Sequence, residues 1–305
     1  MDRITVRVPA TTANLGPGFD CLGMALDIFN EVTVALAPSL SISIQGEGAG
    51  HISQRQDNLV YRAMATVFTK LGKPVPELSI NCLNRIPLAR GLGSSAAAVA
   101  GGLVAANGLL GKPLSMDELI QLGAKMEGHA DNIVPALLGG CQVVYQENGK
   151  YFNAPISLKT NLITVLFIPD FAMSTAKARN ILPATVSRVD AVFNLGRVSL
   201  LTLALTTGKL EYLKIATQDR LHQPARQAMF PAMDSIFRAA LEAGALGAFL
   251  SGAGSTILAF TEVESLTGGI GGAMQNAANK AGVSGWVQLA RPSAQGAHRI
   301  PLYPP

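Results

Sequence analysis

Apolar and polar residues alternate along 4–8 (ITVRV), 31–37 (EVTVALA) and 41–45 (SISIQ). That is the two-residue period of a strand with one buried face. The period then changes: Leu59, Met64, Val67, Phe68 and Leu71 share one side of a helix over 58–71. Asp57 can cap its start, Gly72 ends it and Pro74 bars its continuation. A strand over 78–84 (LSINCLN) leads through a glycine-rich loop into an Ala-rich helix reaching about Leu110. Another helix covers 116–126, a short one closes at Gly139 and Gly140, and 141–146 (CQVVYQ) reads as a strand. The continuous apolar run 162–168 (LITVLFI) predicts a strand buried on both faces. Helices are predicted over 174–182, 187–206, 209–218 and 229–243, with strands near 247–251, 256–260 and 285–290. There is no internal repeat or long linker, and the weak break at 149–161 is the candidate domain boundary.

The loop in PLARGLGSSAAAVAGGL, residues 87–103, carries the first chemical signal. GxxxxGK[ST] fails there, because no Lys follows the glycines. GLGSSA satisfies GxGxxG/A, but that dinucleotide reading needs a second strand ending in an acid about 20 residues on. Here the segment continues as one Ala/Gly helix. The local physics still favours an anion. Gly91 and Gly93 allow positive φ and close backbone approach. Ser94 and Ser95 open a helix whose free N–H groups and dipole attract negative charge. A tight turn before a closely packed helix explains the small residues of 96–106 equally well, but it does not require paired serines.

Composition narrows the classes. Of 305 residues, 49% are hydrophobic and 14% charged, as in a globular protein with a large core. The net charge of +4 comes without Lys/Arg runs, a bias towards anionic small molecules and not a nucleic-acid footprint. Cys21, Cys82 and Cys141 are far apart, and His51, His129, His222 and His298 are scattered. Disulfides and structural zinc are not expected, and a reducing compartment fits. The N-terminus MDRITVRVPATT lacks the apolar stretch of a signal peptide. The longest apolar runs look too short or too Gly-rich for the roughly 20 residues a bilayer crossing needs. The expectation is a soluble, cytoplasmic protein with no membrane or nucleic-acid partner.

Three segments together resemble a known family: PATTANLGPGFD at 9–20, PLARGLGSSAAA at 87–98 and LSGAGST at 250–256. They are similar to the motifs of the GHMP superfamily of small-molecule kinases, and most closely its homoserine kinases. EGHADNIVPALLGG at 127–140, STAKARNILP at 174–183 and DRLHQPAR at 219–226 extend the resemblance. One departure is Ser255, where Pro is common in the third motif; it is expected to loosen that loop slightly. The resemblance implies an α/β (α+β), two-lobed fold. Residues 1–155 would form an ATP-binding lobe like the second domain of ribosomal protein S5, and 156–305 a ferredoxin-like lobe. It also implies a reaction in which ATP phosphorylates L-homoserine to O-phospho-L-homoserine, a step towards threonine, and it leaves a homodimer open.

The same resemblance implies the site. ATP would lie against Pro87, Leu88, Ala89, Arg90, Gly91, Leu92, Gly93, Ser94, Ser95, Ala96 and Ala97. Ser95 and Glu127 match the family's Mg²⁺-contacting residues. Asn132 stands where several relatives place a carboxylate base. An amide cannot accept a proton at neutral pH, so the implied mechanism has no strong protein base. Asn132 alone reads equally well as a helix cap. Arg179 and Arg226 match carboxylate-binding arginines and Asp20 the amine-binding acid, while Asn14 and His129 match further substrate contacts. An amino acid's carboxylate suits a guanidinium fork and its ammonium needs an anion. His51, His222 and His298 are expected to be structural. Competing readings are a GHMP kinase for another alcohol such as mevalonate, a non-catalytic nucleotide-binding regulator, and an NAD-dependent oxidoreductase.

Overall fold

The computed structural model describes residues 3–301. Its first two strands run well beyond their alternating patterns: β1 spans Arg3–Ala13 and β2 spans Leu22–Leu36. They pair antiparallel from Arg3–Ala35 to Ala13–Gly23, with a register shift between Pro9 and Ala10. The extra length is hidden in sequence because Val8–Ala13 and Leu22–Leu26 are buried on both faces. Alternation shows only where one face meets solvent.

The rest of the first lobe follows in order: β3 (Ser41–Gly46), α1 (Leu59–Lys70), β4 (Leu78–Asn84), α2 (Ser94–Leu109), α3 (Met116–Glu127), α4 (Ile133–Leu138), β5 (Cys141–Glu147) and β6 (Lys150–Ile156). β4 pairs antiparallel with β2 and parallel with β3. β5 pairs with the Leu22–Met24 end of β2 and with β6, so the segment read as a break carries an edge strand. The cap of α1 is Asn58 and not Asp57: Asn58 Oδ1 accepts from Val60 N and Tyr61 N, while Asp57 takes the Ser53 hydroxyl. α2 lies on β1 and β2 beneath α1, α3 and α4. Its glycines permit that approach, since a Cβ at Gly102 would lie 2.5 Å from Val60 O. Close packing therefore accounts for the small residues of this helix.

The chain then enters β7 (Ile163–Pro169), α5 (Thr175–Asn180), α6 (Arg188–Thr207), α7 (Leu213–Ala216), α8 (Gln223–Arg226), α9 (Met233–Glu242), β8 (Gly247–Leu250), β9 (Ile257–Thr261), α10 (Thr267–Lys280), β10 (Gly285–Ala290) and β11 (His298–Ile300). The second sheet has the order β10-β7-β9-β8, all antiparallel. β7 is buried on both faces as its run predicts. Val165 and Phe167 join Phe230, Met233, Ile236, Ile270 and Met274, while Leu166 and Ile168 join the larger core that continues into the first lobe. Burying each such apolar side chain is worth roughly 1.5–3 kcal/mol. β11 crosses back to pair with β1.

α6 corrects one expectation. It is 20 residues long, and an 18-residue stretch of it has a mean hydropathy of 1.3, so it satisfies the length and composition of a membrane span. Only Asn194, Leu201, Ala204 and Leu205 of this helix are buried. Asn194 turns inwards, donating to Pro17 O and to Asp219 Oδ1.

Candidate active site

The glycine loop is held by neighbours far away in sequence. Ala89, Gly91 and Gly93 have φ of 52°, 76° and 67°. A Cβ at Gly91 would lie 2.0 Å from Ser251 O, and one at Gly93 would lie 1.8 Å from Thr11 Oγ1. Met173 N donates to Ala89 O at 2.9 Å, Thr256 N to Arg90 O at 3.1 Å, and Ser251 Oγ to Gly91 O at 2.7 Å. The second lobe thus braces the loop from behind. No side chain caps α2 at Gly93, which leaves the helix N-terminus free for an anion. The Arg90 guanidinium is not part of that cradle. It donates to Pro169 O, Leu88 O and Asp170 O at 2.8, 2.8 and 2.7 Å, and it lies over Trp286.

Ser255 does not loosen the third motif. It is fully buried and its hydroxyl donates to Phe171 O at 2.7 Å, tying the motif to the strand end that holds Arg90. Ser255→Ala should lower stability by about 1–2 kcal/mol, because the Phe171 carbonyl loses its buried partner. Denaturant titration is the measurement, and an unchanged midpoint would count against the tie.

One cavity of about 490 Å³ runs along the loop. Its far end is mostly apolar, formed by Val32, Ile44, Ile52, Leu59, Val60, Cys82 and Leu88 with Asn30, Asn58 and Asn84 among them, and suits a flat base. Gly91, Gly93, Ser94, Ser95 and Glu127 line the middle, and Asn14, Asp20, His129, Asn132, Arg179 and Arg226 the near end. All eight residues named for metal, catalysis and substrate therefore meet in one place. Within the loop, Pro87, Arg90, Leu92 and Ala96 do not line the cavity.

Each of these groups has a defined local environment. Ser95 Oγ donates to Glu127 Oε2 at 2.7 Å, and burial pushes the Glu127 carboxyl above its ordinary value. His129 and Asp131 pair through Nδ1 and Oδ1 at 2.8 Å. Burial pushes the His129 imidazole down, but the hydrogen bond and charge of Asp131 outweigh it and leave the pKa raised. Asn132 occupies the cap position of α4 without capping it. Its Oδ1 instead accepts the Thr11 hydroxyl at 2.8 Å. Asn14 has φ of 70° and spends its side chain on the fold, donating to Gly252 O and accepting from Asp20 N. Asp20 and Arg179 form a two-pronged ion pair at 2.7 and 2.9 Å, which raises the Arg179 pKa. Arg226 is 2% exposed; burial, then the charge of Arg179, lowers its pKa to about 10.

The GHMP kinases N terminal domain family model matches residues 58–140, and the GHMP kinases C terminal model matches 204–279. The homoserine kinase of Moorella thermoacetica is 46% identical over 96% of this chain and 98% of its own length. That of Synechococcus is 50% identical over 85% of this chain and 86% of its own. The chain belongs to the homoserine kinases of the GHMP family. A homoserine kinase structure from Cytophaga hutchinsonii covers 98% of both chains with a TM-score of 0.88 at 30% identity. A mevalonate kinase from L. major reaches a TM-score of 0.74 at 20% identity. The backbone alone therefore does not separate the homoserine kinases from kinases of other alcohols, and the near end of the cavity must.

Within the homoserine kinase frame, several residues at the site escape sequence reasoning. Thr11 holds Asn132, Asp131 holds His129, Phe19 faces both arginines, and His222 contacts Arg226. Asp219, fully buried, accepts the backbone N–H groups of Leu221, His222 and Gln223. These residues lie inside the motif segments, but none carries a charge pattern or spacing that assigns it a partner.

Proposed function

We propose that this chain transfers the γ-phosphoryl group of ATP to the hydroxyl of L-homoserine, giving ADP and O-phospho-L-homoserine. The observation that carries this reading is the Asp20–Arg179 ion pair beside Arg226, at one end of a cavity whose middle is an anion cradle. A zwitterion can insert into an ion pair without changing its net charge. Asp20 would take the ammonium while Arg179, joined by Arg226, takes the carboxylate. Mevalonate and sugars offer no ammonium for Asp20. The apolar far end would hold the adenine and the α2 N-terminus the phosphates.

Phosphoryl transfer depends mainly on alignment and charge neutralisation. Among the described residues no cluster of three His, Cys, Asp or Glu side chains forms a metal cage. Mg²⁺ needs none, being held by one or two protein oxygens plus phosphates and water. Ser95 Oγ and Glu127 are hard oxygen donors side by side on the cavity wall, so the pair fits that ion. Bound there, Mg²⁺ would supply positive charge to the β- and γ-phosphates. Asn132, aimed by Thr11, would orient the attacking hydroxyl, with His129 beside it. We assign 1–155 and 156–305 as the two lobes, and the cytoplasm, which suits the three free cysteines, as the compartment. An ADP-release panel with homoserine, mevalonate, galactose and shikimate tests the reading. Turnover of any of the other three above homoserine would sink it.

The His129–Asp131 pair supports a second reading of the proton's path, because the base of a hydrolytic triad is held in the same way. If His129 took the proton, kcat would fall as pH drops through its raised pKa, and His129→Gln would abolish that limb. On the reading without a base, kcat stays flat across that range. Asn132→Ala should then lower kcat about a hundredfold through lost alignment, with the profile's shape unchanged. The pH dependence of kcat in the wild type and both variants decides between them.

A further inference from the structure

His222 carries no role in the reaction described above, yet it is completely buried and touches the substrate-binding arginine. Its Nε2 lies 2.7 Å from Gly16 O. A carbonyl only accepts, so Nε2 carries the proton. Its Nδ1 lies 2.9 Å from Arg226 NH1. A guanidinium only donates, so Nδ1 is bare and the ring is neutral. Burial agrees, holding the His222 pKa down at about 4. The tautomer thus follows from the two partners alone.

The chain is built to keep those partners in place. Gly16 has φ of 88°, and a Cβ there would lie 2.2 Å from Thr217 O; the loop is wedged with its carbonyl towards the imidazole. Asp219 pins the backbone of His222. Phe19 stacks on the imidazole with centroids 5.3 Å apart, and its ring lies 5.5 Å from the Arg226 guanidinium and 5.7 Å from that of Arg179. Arg226 NH1 also donates to Gly252 O at 2.8 Å, and Nε to Ala178 O at 3.3 Å. Among the described residues, no protein acceptor takes NH2. The Arg179 fork is closed on Asp20, while Arg226 NH2 is an open donor beside it.

We infer that neutral His222 is a positioning residue for substrate specificity: it fixes the guanidinium of Arg226 so that NH2 faces the substrate carboxylate. The relay runs from the Gly16 carbonyl through the imidazole to Arg226. It couples the NLGPGF loop to the group that reads the carboxylate. This inference rests on the proposed homoserine reading.

The test compares L-homoserine with 3-aminopropan-1-ol, which keeps the hydroxyl and amine but lacks the carboxylate. The ratio of their kcat/KM values does not depend on how much of a variant is folded. In His222→Leu the ratio should fall about tenfold or more, since Arg226 loses an acceptor and its aim. His222→Asn places an amide oxygen near the Nδ1 position and should restore most of the ratio. The KM for ATP should stay within about twofold in every variant that turns over. An unchanged ratio in His222→Leu overturns the inference, and so does an equal fall in both variants. If the wild type itself fails to prefer homoserine, the carboxylate reading has failed, a result distinct from failure of the relay.

Discussion

Glu127→Gln is expected to lower kcat roughly a thousandfold or more while leaving the folded protein no less stable. The two effects share one cause. Glu127 is a partly buried carboxylate whose direct partner is the Ser95 hydroxyl. Burial raises its pKa above the ordinary value. A raised carboxylate pKa means that the folded state binds the proton more tightly than the unfolded chain does. The ionised group therefore costs stability above that pKa, and the cost vanishes as pH falls below the unfolded value. Gln is neutral at every pH and can still accept from Ser95. The variant's thermal midpoint should match or exceed that of the wild type at pH 8, and the gap should close towards pH 4. Catalysis moves the opposite way. If the carboxylate helps to neutralise the transferring phosphate through Mg²⁺, its loss removes electrostatic stabilisation of about 3–4 kcal/mol. Calorimetry across pH and single-turnover kinetics check the two halves. A variant that is destabilised at pH 8, or that turns over normally, would show that Glu127 serves the fold and not the site.

Much of this arrangement is legible in the sequence wherever a residue's role is local. β4 occupies 78–84, α3 runs Met116–Glu127, and β7 is the buried strand its apolar run predicts. β6 escapes because it lies at the sheet edge, largely exposed, with Pro155 within it. β11 escapes because three residues carry no period. The motif segments bring all eight predicted site residues to one cavity. Their pairing is another matter. Thr11 and Asn132 are 121 residues apart, Asp20 and Arg179 are 159 apart, and Gly16 and His222 are 206 apart. Such contacts leave no periodic trace, because neither partner alone points to the other. A motif can therefore give Asp20 and Arg179 complementary substrate groups without disclosing that the two bind each other first.

That prior pairing changes what removal of the Asp20 charge should do. Asp20 holds both prongs of Arg179, each side chain about a third exposed. On the proposed reading, homoserine would exchange this pair for two new ones, ammonium with Asp20 and carboxylate with Arg179. 4-Hydroxybutyrate, the same molecule without its amine, must still pull Arg179 away but gives Asp20 nothing in return. The wild type should accordingly prefer homoserine by roughly 30-fold or more in kcat/KM, the effect of one charge-assisted contact worth about 2–5 kcal/mol in a partly closed cleft. Asp20→Asn removes the ammonium's partner and frees Arg179 together. Homoserine should lose a similar factor of roughly 30 or more, expressed mainly in KM. 4-Hydroxybutyrate should lose nothing and gain up to a few fold, since its carboxylate no longer competes with Asp20 for Arg179. The two substrates should therefore respond with opposite signs, which a general disturbance of the NLGPGFD loop cannot produce. The experiment is a two-by-two measurement of kcat and KM with wild type and Asp20→Asn. Equal losses on both substrates would make Asp20 a scaffold for Arg179 and place the recognition of the amine elsewhere.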